Sequence, residues 1–247
     1  MLEPRTIATL RRAHEAGLRV IVVTGRMVRS VTRALEPLGF GEPLICYQGA
    51  VVVDESGTWL RHHPIPLELA REAIAAVEAE GYFPNVYVND GLYVSKLTDA
   101  ARAYAGFQHL NVQEVGDMLD WLHEPPTKLV CVGDPAALDE LEPRLKAMLG
   151  SRMHISKSLP FFLELADHGV TKGAGLDFLS ARLGFTPEET IAFGDGENDI
   201  ELVEWGGYGI AVDNAHERVK AIADWVCPPA SEEGVALVLD AYLDSIS

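Results

Sequence analysis

Apolar residues recur along this chain in two alternating rhythms, short continuous runs and longer stretches spaced three and four apart. The runs Leu18 to Val23, Pro43 to Cys46, Thr190 to Phe193 and Gly209 to Val212 are bounded by turn residues, the pattern of buried parallel strands. Between them the period becomes helical. Pro4 to Ala16 puts Ile7, Leu10 and Ala13 on one face and stops at Gly17, and Val28 to Leu38, Lys172 to Leu183, Asn198 to Trp205 and Ser231 to Leu243 follow the same spacing. Strand and helix in alternation predict an α/β fold built on a doubly wound parallel sheet, because each crossover helix has to cover a face of that sheet.

The rhythm changes between about His62 and Lys157. Asn85 to Val88 and Leu92 to Ser95 flank the turn Asn89-Asp90-Gly91, Thr127 to Val132 supplies another strand, and Pro66 to Glu80 and Pro135 to Leu149 read as helices. Hairpins beside helices predict a separate α+β module inserted into the first domain. The doubly wound pattern resumes at Phe161 to Leu165. The expected division is 1–61 and 158–247 for the outer domain and 62–157 for the inserted one. Within the insert, Tyr82, Phe83, Tyr87 and Trp121 could line a substrate pocket but, as aromatics among strands, read as core residues, and Lys128 and Arg152 could reach an anionic substrate but read as solvated ones.

Composition narrows the choice of partners. A length of 247 residues with 48% hydrophobic content is enough to bury a large core. The net charge of −17, with only 20 scattered Lys and Arg, excludes a nucleic-acid binder, which needs clustered cations against phosphate. A small anionic substrate remains compatible, given local positive groups and a cation to offset the acidic field. Cys46, Cys131 and Cys227 are too few and too dispersed for a zinc site or a disulfide framework, and two lie in apolar runs, so free thiols in a reducing compartment are expected. With no apolar run near the roughly 18 residues of a membrane span and no secretory pattern at the amino terminus, the expectation is a soluble cytoplasmic protein.

Three segments carry candidate chemistry. Gly194-Asp195-Gly196-Glu197-Asn198-Asp199 follows an apolar strand, which puts Asp195 and Asp199 at a strand's carboxyl end, where open α/β sheets bind their ligands. The plainer alternative is an acidic loop that caps the next helix. Thr24-Gly25-Arg26 offers a hydroxyl and backbone amides at a helix amino terminus, a setting suited to phosphate oxygens, although Thr and Gly are also ordinary turn residues. In Gly169-Val170-Thr171-Lys172-Gly173, Lys172 opens a helix, where an ammonium sits beside the positive end of the dipole. Such a lysine calls for an anionic partner, unless it is simply solvated.

In their order and with their flanking strands, these segments resemble the haloacid dehalogenase-like hydrolase superfamily, most closely its Cof-type branch of small-molecule phosphatases. Cys46-Tyr47-Gln48-Gly49-Ala50, where that branch has Asn-Gly-Ala, Phe162-Leu163-Glu164-Leu165, and Val212-Asp213-Asn214-Ala215 with Glu233-Gly234-Val235 extend the likeness over nearly the whole chain. The resemblance implies a Rossmann-like hydrolase core with an inserted mobile cap, and a magnesium-dependent hydrolysis of phosphomonoesters through an aspartyl phosphate. It implies Asp195 and Asp199 as the Mg2+ residues, Lys172 and Thr24 as catalytic groups on the phosphate, and Gly25 and Asn198 as further phosphate contacts. The implied substrate is a small phosphorylated metabolite.

One departure bears on activity. The family's nucleophile and general acid lie in an Asp-x-Asp-Gly-Thr segment on a strand upstream of the first helix, and only Met1, Leu2 and Glu3 precede Pro4 here. Asp54 and Asp90 fall in turns, Asp134 precedes Pro135, and none gives a convincing substitute. The expectation is therefore a late start or truncation, and a chain that as written lacks turnover. The alternative is a non-catalytic protein that binds a phosphorylated ligand or a protein partner through the retained pocket. A homodimer that repairs the sheet is a further expected partner. A dehydrogenase is disfavoured, since no Gly-x-Gly-x-x-Gly turn follows an opening strand.

Overall fold

The computed structural model describes residues 2–246, so Met1 and Ser247 of the outer expected segments lie outside the described residues. The chain divides into two compact units, Met1–Arg61 with Thr171–Ser247, and His62–Val170.

The first unit opens with α1 (Pro4–Glu15), which starts on a proline whose missing N–H would go unused there. β1 (Val22–Val23), α2 (Val28–Leu35), β2 (Leu44–Cys46), β3 (Val51–Val53) and β4 (Trp59–His62) follow. They make a sheet in the order β1-β2-β3-β4, with β1 parallel to β2 and β3 antiparallel to it. The buried strand expected over Leu18 to Val23 shrinks to two half-buried residues. Among the described residues β1 is the edge of its sheet, with a partner strand on one side only. α2 also ends earlier than its apolar period predicts, passing at Glu36–Leu38 into a 3₁₀ turn around Pro37, which cannot donate to a helical hydrogen bond.

The second unit contains α3 (Leu67–Ala79), β5 (Asn85–Val88), β6 (Gly91–Val94), α4 (Asp99–Gln108), β7 (Val112–Glu114), α5 (Met118–Trp121), β8 (Lys128–Val132), α6 (Pro135–Leu149), β9 (Met153–Leu159) and β10 (Phe162–Asp167). Its six strands form one continuous sheet, β7-β6-β5-β8-β10-β9. Asn89 and Asp90 both take left-handed φ, 48° and 57°, as a tight hairpin between β5 and β6 requires. Alternation along the strands sends Val86, Leu129, Cys131, Leu163 and Leu165 to one face, where they pack with Ile74 and Val77 of α3 and Leu138, Leu141 and Leu145 of α6. The run Phe161 to Leu165 therefore belongs to this unit. It was expected to resume the doubly wound domain, but β10 pairs antiparallel with both β8 and β9, a choice that long-range partners make and local apolarity does not.

The chain then returns to the first unit through α7 (Lys172–Leu183), β11 (Ile191–Gly194), α8 (Ile200–Trp205), β12 (Tyr208–Val212), α9 (Glu217–Lys220), β13 (Trp225–Cys227) and α10 (Gly234–Ser245). β11, β12 and β13 are parallel. Thr186 and Glu189 form the capping box their spacing predicts, the Glu189 carboxylate accepting from the Thr186 N–H at 2.9 Å. Among the described residues no strand hydrogen-bonds to both β1 and β11, so the sheet of this unit is in two pieces. Leu176 and Leu179 of α7 join them through one apolar cluster with Ile45, Val52, Ala192 and Leu202. α1 packs on α10, where Thr9 and Arg5 bond Asp240.

Candidate active site

Three chain turns of the first unit meet at the carboxyl ends of β1, β2 and β11. Thr24 leaves β1 with its N–H donating to the Ile45 carbonyl at 2.8 Å, while its hydroxyl oxygen accepts from the Arg26 N–H at 3.2 Å. The Thr24 hydroxyl proton is thereby left to point elsewhere. After β2, residues Tyr47 to Gly49 make a tight 3₁₀ turn with φ of 52°, 60° and 102°. Only glycine fits at position 49, because a Cβ there would stand 2.0 Å from the Thr171 carbonyl oxygen.

Thr171 is the N-cap of α7, its hydroxyl oxygen accepting from the Ala174 N–H at 3.1 Å. That cap places Lys172 in the first turn. Its ammonium is buried, 6% exposed, and donates to Oδ1 of Asp199, which is 4% exposed. The solvated alternative for Lys172 is therefore replaced by a specific anionic partner. Oδ2 of Asp199 accepts from the backbone N–H groups of Asp195 and Gly196, both at 3.0 Å. Asp199 thus closes the acidic turn on itself and holds the lysine in one position.

The two carboxyls titrate in opposite directions. Burial pushes Asp199 up, but the Lys172 ammonium and the hydrogen bonds from Lys172, Gly196 and Asp195 outweigh it and leave the carboxyl below the ordinary Asp value. Asp195 keeps an exposed edge, yet surrounding protein removes part of its water. That desolvation, followed by the charge of Asp199, raises its carboxyl despite the pull of Lys172. Asp195 is also held through its backbone, where its carbonyl accepts from the His216 N–H at 2.8 Å.

Thr24, Gly25, Lys172, Asp195, Asn198 and Asp199 are thus contributed by adjoining turns of one unit. Sequence reasoning gave no role to Gln48, whose Oε1 accepts from Asn198 Nδ2 at 3.0 Å. Its signal was its place in Tyr47-Gln48-Gly49-Ala50, where the Cof-type branch has Asn-Gly-Ala. The solvated reading of Lys128 fails as well: it is 5% exposed and lies 3.2 Å from Glu164 in the second unit. Arg152 is exposed and pairs with Glu72. Asp54 is occupied by Ser56 and Thr58, and Asp134 caps α6. A cavity of about 370 Å³ in the first unit, lined by Val22, Leu38, Leu44 and Val53, touches none of the site residues. Among the described residues no group of three or more His, Cys, Asp or Glu side chains is gathered for a metal. Of the two carboxylates, Asp195 keeps an exposed edge, while both oxygens of Asp199 are engaged by Lys172 and by the amides of Asp195 and Gly196; a magnesium ion, which takes one or two carboxylates and retains its waters, would be held by Asp195 with Asp199 behind it.

A sequence model of haloacid dehalogenase-like hydrolases matches residues 1–239. The chain is 29% identical to phosphatase YwpJ of Bacillus subtilis, over 95% of this chain and 91% of that protein. It is 28% identical to the 5-amino-6-(5-phospho-D-ribitylamino)uracil phosphatase YitU of the same organism, over 98% and 91%. A crystal structure of a haloacid dehalogenase-like hydrolase from Bacteroides thetaiotaomicron superposes with a TM-score of 0.89 at 27% identity, covering 98% of this chain and 93% of that one.

Proposed function

This chain belongs to the haloacid dehalogenase-like hydrolases, and from that premise we propose that its site is the pocket of a magnesium-dependent phosphomonoester hydrolase acting on a small phosphorylated metabolite. The observation that carries the reading is the Lys172–Asp199 pair. A buried ammonium, fixed at the start of a helix by a carboxylate that is itself tied to two backbone amides, is a preorganised anion clamp. Lys172 holds one phosphate oxygen and the charge that grows on it. The Thr24 hydroxyl and the Gly25 amide take another, and Asn198, in the same turn as Asp199, would add a further contact.

Charge explains the need for a cation. Lys172 balances only one of Asp195 and Asp199, so a phosphate dianion would enter a site that is already net negative. Asp195 would hold magnesium, with Asp199 supporting the same shell. When bound, the ion would supply the positive charge that lets a carboxylate and a phosphate approach one another. The raised carboxyl of Asp195 supports the assignment, since a group strained in its charged form gains from a nearby cation. The buried free thiols Cys46, Cys131 and Cys227 support a reducing, cytoplasmic setting.

The reading proposed for these 247 residues is phosphate binding without turnover of phosphomonoesters, and it is supported by Asp54 and Asp134, two of the aspartates that could replace a nucleophile, being engaged in a local turn and a cap. Calorimetry with MgCl2 and orthophosphate on the purified chain tests the pocket. Binding that Lys172→Ala abolishes is expected, and silence in the unsubstituted chain refutes the pocket. Robust magnesium-dependent release of p-nitrophenol from p-nitrophenyl phosphate would overturn the lack of turnover.

A further inference from the structure

All three motif segments touch the turn after β2. Gly49 lies against the Thr171 carbonyl so closely that an added Cβ would be 2.0 Å away, and a Cβ on Gly175 would come within 3.1 Å of Gly49 Cα. One residue earlier, Gln48 donates its N–H to the Thr24 carbonyl at 3.0 Å. The Gln48 side chain then passes over Gly25, where a Cβ would meet Nε2 at 2.4 Å, and reaches Asn198. Tyr47 adds an N–H to the Arg26 carbonyl at 3.0 Å.

The backbone under this contact is unfavourable. Tyr47 and Gln48 are consecutive non-glycine residues at φ 52° and 60°, neither with the short polar side chain that tolerates left-handed backbone best. Strain of that kind persists where surrounding contacts over-determine it, and it concentrates at functional sites. Glycine at position 48 would relieve the strain, but it would remove the side chain that spans from Gly25 to Asn198.

We infer that Gln48 is a positioning residue of the anion pocket, its carboxamide fixing Asn198 and the Thr24-Gly25 turn relative to each other so that both address one phosphate. The inference rests on the phosphate-pocket reading. Oε1 is taken by the Asn198 amide, which sets the orientation of both carboxamides: Nε2 of Gln48 faces the Gly25 turn, and the Asn198 oxygen is turned toward Gly196. Asn198 lies in a 3₁₀ turn one residue before Asp199, so releasing its side chain loosens the group beside the Lys172 clamp.

The test uses Gln48→Gly, which keeps the left-handed backbone comfortable while deleting the carboxamide. In the ligand-free protein the side-chain amide resonances of Asn198 are expected to shift and to exchange faster in Q48G than in the parent, with a melting temperature equal to or above the parent's. Unmoved Asn198 resonances would overturn the inference whether or not phosphate binds. In MgCl2, Q48G and Asn198→Ala should each weaken orthophosphate binding by about tenfold, the scale of one lost hydrogen bond. The double variant should be no weaker than about tenfold, because both changes break one linkage. Losses that multiply to about a hundredfold would show two independent contacts and overturn it. Failure of the parent to bind orthophosphate refutes the pocket, and the Asn198 resonances then decide the linkage between the two side chains.

Discussion

Each unit buries a lysine against a carboxylate, and the two pairs are satisfied in different ways. In the first unit Asp199 spends one oxygen on Lys172 and the other on the amides of Asp195 and Gly196, so the pair is woven into the backbone of a loop. In the second, Lys128 and Glu164 lie 3.2 Å apart on the face of a continuous sheet, without hydrogen-bond alignment at Glu164 Oε2. The Lys128 ammonium sits 5.2 Å from the centre of the Tyr87 ring, and the Tyr87 hydroxyl meets that of Tyr104 at 2.7 Å. One pair organises a polar site in a unit whose sheet is in two pieces. The other is an inclusion in a unit that its apolar core already holds together. Burial of an ion pair therefore says little by itself; what its remaining hydrogen bonds hold in place decides its role.

The largest effects break each pair from one side. Lys172→Ala and Lys128→Ala both strand a buried carboxylate and should each cost about 3–5 kcal/mol in urea denaturation followed by hydrogen exchange of the affected unit. Apolar replacement of both partners then separates the two regions. Lys128→Met with Glu164→Leu is expected to be near neutral or stabilising. Lys172→Met with Asp199→Leu should still cost about 2 kcal/mol or more, because the amides of Asp195 and Gly196 lose their acceptor. Equal outcomes for the two double variants would erase the contrast.

Smaller changes sharpen it. Thr171 caps α7 and Thr98 caps α4 in the same manner, each hydroxyl accepting at 3.1 Å from the N–H three residues on. Replacing either with Ala should cost about 1 kcal/mol, but only Thr171→Ala should also weaken orthophosphate binding, since only that cap aims a site lysine. The last difference is in pH. The Asp199 carboxyl is depressed in the fold, so its stabilisation is present above the unfolded Asp value and is lost as pH falls through the depressed one. Asp195 is raised, so the fold favours its protonated form, and that contribution is lost as pH rises through the raised value. Asp199→Asn should flatten the acid limb of a stability–pH profile and Asp195→Asn the limb above it. Magnesium affinity should fall with pH through the raised Asp195 value, with protons released on binding.

Much of the fold was legible along the chain. β5, α6 and α7 lie where the pattern puts them, because their ends carry local signals: the Asn-Asp-Gly turn, Asp134 before Pro135, and Gly184 after Leu183. β9 was not legible, since Lys157 interrupts the alternation of Met153–Leu159 and the strand owes its extension to pairing with β10. The misplaced run at Phe161 has the same cause, a strand whose sheet is chosen by distant neighbours. Of the candidate site, the residue types and their order could be read, whereas the Gln48 contact could not, because nothing in Tyr47-Gln48 announces left-handed backbone.

Local chemistry along the chain determined the alternation of strands and helices, the caps that start them, and a lysine, a threonine and two aspartates at turns suited to phosphate and a cation. The tertiary structure alone decided which of these groups meet. Lys172 and Asp199 are 27 positions apart, and Gln48 and Asn198 are 150 apart. Propensity and capping act within a few residues, while a hydrogen bond across such separations exists only after the packing of α7 against β2, β3 and α8 has absorbed the entropy of bringing the turns together.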